Sequence, residues 1–351
     1  MILVLVIGFN RLKEPTTSAA HIHSISIVIP IRDEAHNIPA LLSSLANIQY
    51  PHFEIILVDD HSSDNPQLAA HNPQLVRLIH SPGHGKKSAI SHAIQNSTRD
   101  IIVTTDADCC VTPQWLEKIN AAFQDARIQM MIGGVRIEED QTLFSRLQSL
   151  EFVSVAVTGA ATLGLGFPTM CNGANLSYRR SAFLQVDGYS GNEKISSGDD
   201  EFLLNKINHT SKGSIGYLCS SASLVTSSPL PLVTSFLSQR FRWAGKWSSN
   251  ISLTTRLFAL VVWLFHLSFI LMAFSPVFGF ISWNLFAILA GAKVFVEALL
   301  LIPAAKFYQV KWRWISFLVL QFVYSFYVIT IGFMSQTFSP KWKGRTVAAK
   351  V

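Results

Sequence analysis

Two apolar runs of this 351-residue chain each end in a cluster of carboxylates: Val58-Asp59-Asp60-His61-Ser62-Ser63-Asp64 and Thr105-Asp106-Ala107-Asp108. Acids crowded in this way repel one another, and a metal ion, a donor ligand or water must relieve them. Hard oxygen ligands at a solvated crevice suit Mg2+ or Mn2+, which take one or two carboxylates and complete their shell with substrate phosphates. Asp60 and Asp64 alone would read as turn formers. Two clusters at successive strand ends favour a site. Between them, Gly83-His84-Gly85-Lys86-Lys87-Ser88 opens a helical stretch, offering backbone N–H groups and a lysine to phosphate. It is not a Walker loop, because His80 stands where the first glycine belongs and Lys87 where Ser or Thr belongs. No G-x-G-x-x-G follows the first strand, which removes the main support for a dinucleotide oxidoreductase.

Two more groups lie further on. Ser197-Gly198-Asp199-Asp200-Glu201 precedes Phe202-Leu203-Leu204, so three acids open a helix, with Glu201 placed as a cap or dipole partner. In Gln239-Arg240-Phe241-Arg242-Trp243, positions 239, 242 and 243 share one helix face. There Arg242 can fork onto phosphate oxygens and Trp243 can stack on a sugar ring. Alone, the pentapeptide equally fits a juxtamembrane helix with an interfacial Trp and a snorkelling Arg. His21, His23 and His84 receive no role. The cysteines Cys109, Cys110, Cys171 and Cys219 have no ligand spacing, so neither a zinc site nor a disulfide framework is indicated.

The elements that must position these groups alternate. Ile25–Ile29, Phe53–Val58, Leu75–Ile79 and Ile101–Thr105 read as strands, and Ile38–Ala46, Ser88–Gln95 and Trp115–Phe123 as helices. Such alternation, with nearly continuous apolar strands, predicts a mostly parallel sheet with helices on both faces. Ligands of such sheets bind beyond the carboxyl ends of the strands, where this chain puts its acids. The Gly/Ala-rich stretch Phe152–Phe167 reads either as a core helix or as one lying against the acceptor or the membrane.

Only 14% of residues are charged, 49% are hydrophobic, and the mean hydropathy is +0.33, which strains a purely soluble reading. The net charge of +6 is uneven: residues 251–351 carry +8, with Glu297 their single acid, which leaves −2 on residues 1–250. Basic charge that flanks apolar stretches reads as membrane topology, so nucleic acid is excluded as a partner. Leu257–Phe274, Val277–Ile302 and Trp314–Met334 match the roughly 20 residues that cross a hydrocarbon core. Lys293 and Glu297, four apart, can pair on one helix face. Three crossings from a cytoplasmic domain would put the basic tail Lys341-Trp342-Lys343-Gly344-Arg345 outside, against the positive-inside tendency, so two or three crossings remain open here. Met1–Phe9 is too short to span, and reads as an interfacial anchor or as the stub of a longer helix.

The ordered set resembles the membrane-integrated family 2 glycosyltransferases of GT-A fold. It runs Ile-Pro-x-Arg-Asp-Glu (29–34), Asp-Asp-His-Ser-Ser-Asp (59–64), Gly-Lys-Lys (85–87), Asp-Ala-Asp (106–108), Gly-Asp-Asp (198–200) and Gln-x-x-Arg-Trp (239–243). Cellulose and hyaluronan synthases and ceramide glucosyltransferases are similar in these motifs. The resemblance implies a short apolar segment and linker over 1–24, a GT-A catalytic domain over 25–250, a membrane region over 251–340 and a basic tail over 341–351. It implies that Asp59 and Asp60 meet the uracil and ribose of a nucleotide-sugar donor, that Asp106 and Lys86 support the nucleotide and phosphates, and that Asp108, with Asp106, holds Mg2+ or Mn2+. Asp200 would be the general base. The Gly-Asp-Asp form differs from the Thr-Glu-Asp of cellulose synthases and keeps Asp199 beside Asp200 as a candidate. Gln239, Arg242 and Trp243 would bind the donor pyrophosphate and the acceptor. The implied enzyme is an inverting glycosyltransferase of the inner membrane with a cytoplasmic catalytic domain, using a UDP-sugar and a lipid or glycan acceptor. The competing readings are a processive polysaccharide synthase and a non-catalytic nucleotide-sugar-binding membrane protein.

Overall fold

The computed structural model describes residues 1–14, 21–64, 75–192, 198–245 and 253–335, and the backbone of 341–342 and 345–346. Part of the linker and most of the basic tail lie outside these residues. The strands are β1 (Ile25–Ile31), β2 (Phe53–Asp59), β3 (Val76–His80), β4 (Ile101–Thr104), β5 (Cys109–Cys110), β6 (Met130–Ile132), β7 (Val135–Ile137), β8 (Leu176–Arg179), β9 (Ile215–Tyr217) and β10 (Val225–Ser227), with a short terminal pair, β11 (Lys341–Trp342) and β12 (Arg345–Thr346). The helices are α1 (Ile2–Arg11), α2 (Ile38–Ala46), α3 (Lys86–Gln95), α4 (Trp115–Ala122), α5 (Leu143–Gly164), α6 (Arg180–Gln185), α7 (Asp199–Thr210), α8 (Val233–Gly245), α9 (Leu253–Phe274), α10 (Trp283–Phe307) and α11 (Trp314–Met334).

The chain divides into two compact units. One comprises Leu12–Glu138 and Met170–Ser228, the other Met1–Arg11, Glu139–Thr169 and Pro229–Val351. In the first, the sheet order is β3-β2-β1-β4-β8-β6-β9. The first four strands are parallel, as their continuous apolar runs predict: Ile27, Ile29, Ile56, Leu57, Ile102 and Val103 are fully buried. Strand β8 runs antiparallel to both β4 and β6. That reversal brings the segment before β8 to the same edge as the carboxyl ends of β1, β2 and β4. A small second sheet, β5-β10-β7, closes this unit.

The second unit is helical. Among the described residues, α9, α10 and α11 are long and apolar enough to cross a membrane. The middle helix begins at Trp283, later than its apolar run suggests. Val277–Phe280 instead forms a turn after Pro276 with Gly279 at φ 75°, and the Ser282 hydroxyl then caps the helix by accepting the Leu285 N–H. Lys293 and Glu297 pair at 2.7 Å, and Gln321 of α11 accepts from Lys293 and donates to Glu297, each at 2.7 Å. Charges at this depth persist where each polar atom has a partner.

Helix α5 is longer than its apolar core and starts where the Thr142 hydroxyl accepts the Ser145 N–H. It packs against α1, α10 and α11, so the Gly/Ala-rich stretch belongs with the apolar helices. Gly8 makes the α1–α5 crossing close: a Cβ there would come 2.2 Å from the Ala161 carbonyl oxygen and 2.7 Å from Leu165 Cγ. Gly8→Val should therefore detach or tilt α1, at a cost of about 1–3 kcal/mol. Limited proteolysis at 12–14 should accelerate in the variant, and an unchanged cleavage rate would contradict the crossing.

Candidate active site

The parallel register sets the site. Ile31 of β1 lies opposite Asp59 of β2, and Val28 of β1 opposite Thr104 of β4, so the residues that follow these strands meet at one edge. The loops there are stitched together. Ala35 N–H donates to Asp64 at 2.7 Å, Asp33 N–H to the Ser62 hydroxyl at 3.0 Å, and the Ser63 hydroxyl to Asp33 at 2.9 Å. Asp64 thus performs the turn role open to it from sequence. Asp59 is buried, accepts the Ser62 N–H at 3.0 Å and lies 3.2 Å from His80 Nδ1. Asp60, 2% exposed, accepts the Gly85 N–H at 2.8 Å and has the Arg32 guanidinium at 3.6 Å. Gly85 holds φ 95° as the residue before α3, a conformation in which a Cβ would be strained.

Lys86, the first residue of α3, reaches over this edge. Its ammonium donates to Asp106 Oδ1 at 2.7 Å and lies 3.8 Å from Asp199 Oδ2. Burial disfavours the charged ammonium, yet Asp106 and Asp199 outweigh burial and hold its pKa above the ordinary lysine value. Asp199 is pushed up, first by burial and then by Asp200 and Asp106, with Lys86 opposing. Asp108 is pushed up by burial, then by Asp106 and Glu34, and its Oδ2 accepts the Ser227 hydroxyl of β10 at 3.2 Å.

Asp199 and Asp200 open α7 after Gly198, which stands at φ 75°. Asp200 accepts the Gly173 N–H at 3.1 Å and the Glu201 N–H at 2.8 Å. Gly173 belongs to the turn before β8, and its carbonyl accepts the Thr104 hydroxyl at 2.7 Å. The same turn is fixed by buried Asn175, whose side chain accepts from Trp115 Nε1 at 3.0 Å and donates to the Gly134 and Ser223 carbonyls at 2.8 and 2.9 Å. Asp60, Lys86, Asp106, Asp108, Asp199 and Asp200 therefore gather at one sheet edge. Glu34 and Gly173 join them, although neither draws a role from sequence. Glu34 had a signal, since it ends a motif beyond the first strand. Gly173 had none, because only the strand reversal brings it there.

Lys86→Met should leave Asp106, Asp199 and Asp200 without their shared cation. The expected loss is about 1.5–3 kcal/mol, that of a hydrogen bond to a charged group. A melting temperature equal to that of the parent protein would contradict the pairing.

Gln239, Arg242 and Trp243 lie on α8, in the helical unit. What organises that helix is Arg240, which sequence reasoning passed over. Its guanidinium grips Glu151 of α5 through both carboxylate oxygens, at 3.1 and 2.5 Å, with side chains 6% and 4% exposed. It also donates to Gln239 Oε1 and sits 4.2 Å above the Trp243 ring. Tyr327 of α11 donates to Glu151 at 3.2 Å. Burial disfavours the Arg240 charge, but Glu151 more than offsets it, so its pKa stays above the ordinary value. A lone acid within an apolar stretch was the available signal, since Glu151 needs a cation when buried.

Residues 26–186 match the family described as Glycosyl transferase family 2. Over 259 residues the chain is 28% identical to a hyaluronan synthase of Streptococcus pyogenes, a match that covers 69% of this chain and 61% of that relative. It is 30% identical over 137 residues to an undecaprenyl-phosphate 4-deoxy-4-formamido-L-arabinose transferase of Yersinia enterocolitica, covering 36% of this chain and 41% of the relative. Among solved structures, a mannosyltransferase from Pyrobaculum calidifontis in complex with GDP-Man and Mn2+ is similar with a TM-score of 0.60 at 14% identity, over 97% of this chain and 95% of that one. The fold is GT-A, and it is residues 26–186 that match the family 2 glycosyltransferases.

Proposed function

We propose that this protein transfers a sugar from a nucleotide-sugar donor to a lipid-linked or membrane-proximal hydroxyl. The gathering of Asp60, Lys86, Asp106, Asp108, Asp199 and Asp200 at the carboxyl edge of the parallel strands carries the reading. The two relatives named above, one a polysaccharide synthase and the other a lipid-phosphate transferase, support the acceptor class.

A divalent cation fits Asp106 and Asp108, because burial and neighbouring acids already penalise the Asp108 charge and a cation would relieve it. Bound there, Mg2+ or Mn2+ would stabilise the negative charge that develops on a departing diphosphate. Lys86, at the N-terminus of α3, would support the donor phosphates. Asp59 and Asp60 would meet the base and ribose of the donor, a UDP-sugar in this reading. Asp200 would take the proton of the attacking hydroxyl. Asp199 suits that role less, being buried and within 3.8 Å of the Lys86 ammonium. One base acting opposite one leaving group gives single displacement with inversion. By family resemblance, Gln239, Arg242 and Trp243 would serve the pyrophosphate and the acceptor. The catalytic domain would face the cytoplasm from the inner membrane, where nucleotide sugars are made available to it.

The test is a panel of labelled nucleotide sugars offered to the purified full chain with extracted membrane lipid, with and without Mn2+. Label entering the lipid fraction in a metal-dependent way is the expected result. A ladder of products from one acceptor would support the processive alternative. Donor binding without any turnover would support a non-catalytic binding protein and overturn the proposal.

A further inference from the structure

His61 directly follows Asp60 beyond β2, and His84 directly precedes Gly85. Their rings approach to 4.2 Å between centroids, tilted by 45°. One ligand atom from each of Asp60, His61 and His84 lies within 4.8 Å of the other two, and no other group of three such side chains is so placed among the described residues. Both imidazoles are exposed, while the carboxylate is buried beneath them.

Three further observations bear on what this trio can do. His61 holds φ 57°, a left-handed backbone uncommon for a residue with a Cβ, although His adopts it more readily than most. Its Nε2 lies 3.3 Å from the Gly83 carbonyl, which can only accept, so Nε2 is the donor there and Nδ1 is the nitrogen left to face a metal. A histidine that binds metal is commonly oriented in this way, its other nitrogen donating to a backbone carbonyl. Asp60 is fixed by the Gly85 N–H at 2.8 Å, and the nearby Arg32 guanidinium is shared with Asp33 at 3.8 Å.

We propose that Asp60, His61 and His84 form a second cation site, selective for a transition metal of the Zn2+ or Co2+ class. Two imidazoles and one carboxylate favour such ions, whereas the all-oxygen pair Asp106 and Asp108 favours Mg2+ or Mn2+. A tetrahedral ion with bonds of about 2.0–2.1 Å keeps its ligands about 3.4 Å apart, so the exposed rings need to close by about an ångström. Three protein ligands leave one coordination position for water or another donor atom. Because the site shares Asp60, an ion there competes with the nucleotide; this consequence rests on the donor role proposed for Asp60.

The test is a Co2+ titration of the tag-free full chain in detergent with excess Mg2+, followed by visible absorption. One equivalent should give a band characteristic of low coordination number. That band should vanish in His61→Ala and in His84→Ala, each confirmed folded by a parental circular-dichroism spectrum, and persist in Asp108→Asn. A parent protein without the band, a band that survives both histidine substitutions, or a band lost in Asp108→Asn would overturn the site. Zn2+ should also raise the apparent Kd for the nucleoside diphosphate in the parent but not in His61→Ala. If Co2+ binds as described and nucleotide affinity does not change, the cation site stands and the donor role of Asp60 fails.

Discussion

Asp200→Asn is expected to slow sugar transfer by about 10²–10⁴-fold, the range for loss of a general base. Donor binding should stay nearly intact, because the amide oxygen can still accept one of the two N–H groups, Gly173 or Glu201, that the two carboxylate oxygens hold. The substitution removes the capacity to take a proton together with one of these two backbone bonds. Asp199→Asn should behave differently: it weakens the setting of Lys86 and is read as a rise in donor KM. Steady-state kinetics with the true acceptor separate the two. Parental turnover in Asp200→Asn would remove that carboxylate from the chemistry.

Glu151→Gln should cost about 3–5 kcal/mol of stability, because it leaves the Arg240 guanidinium buried without its counter-charge. At about 2–4 °C per kcal/mol for a domain of this size, the melting temperature should fall by roughly 6–20 °C. The double variant Glu151→Leu/Arg240→Met should recover much of the loss, since a buried ion pair and an apolar pair of similar volume are often near-isoenergetic. A double variant as unstable as the single would show that packing, not charge, holds α8 to α5. The same pair sets the position of Trp243, whose ring lies 4.2 Å beneath the guanidinium. Activity should therefore fall further than the loss of folded protein accounts for.

The long parallel strands were legible because burial on both faces makes each a nearly unbroken apolar run, and Ile25–Ile31 and Phe53–Asp59 begin where that run begins. Strands β5 to β10 were not. They hold two to four residues each, too few for a period, and owe their existence to pairing with distant partners. The acid clusters could be placed at strand ends from sequence, since Asp59, Asp60, Asp106 and Asp108 follow apolar runs directly. The bond from Lys86 to Asp106 and that from Gly173 to Asp200 could not, because each depends on register and on the reversal of β8. On α8, helical spacing drew attention to Arg242, whereas the buried cation is Arg240. Periodicity tells which residues share a face, but not which face is covered. Glu151 carried the missing hint, an acid in an apolar helix that demanded a partner.

The most direct measurement is a structure of the full chain with Mn2+ and a nucleoside diphosphate, with the ion located by its anomalous signal. Manganese is expected against the Asp108 carboxylate with Asp106 beside it, the base near Asp60, and the Asp200 carboxylate facing the free side of the diphosphate. A metal–diphosphate pair seated on any other surface of the molecule would contradict this account.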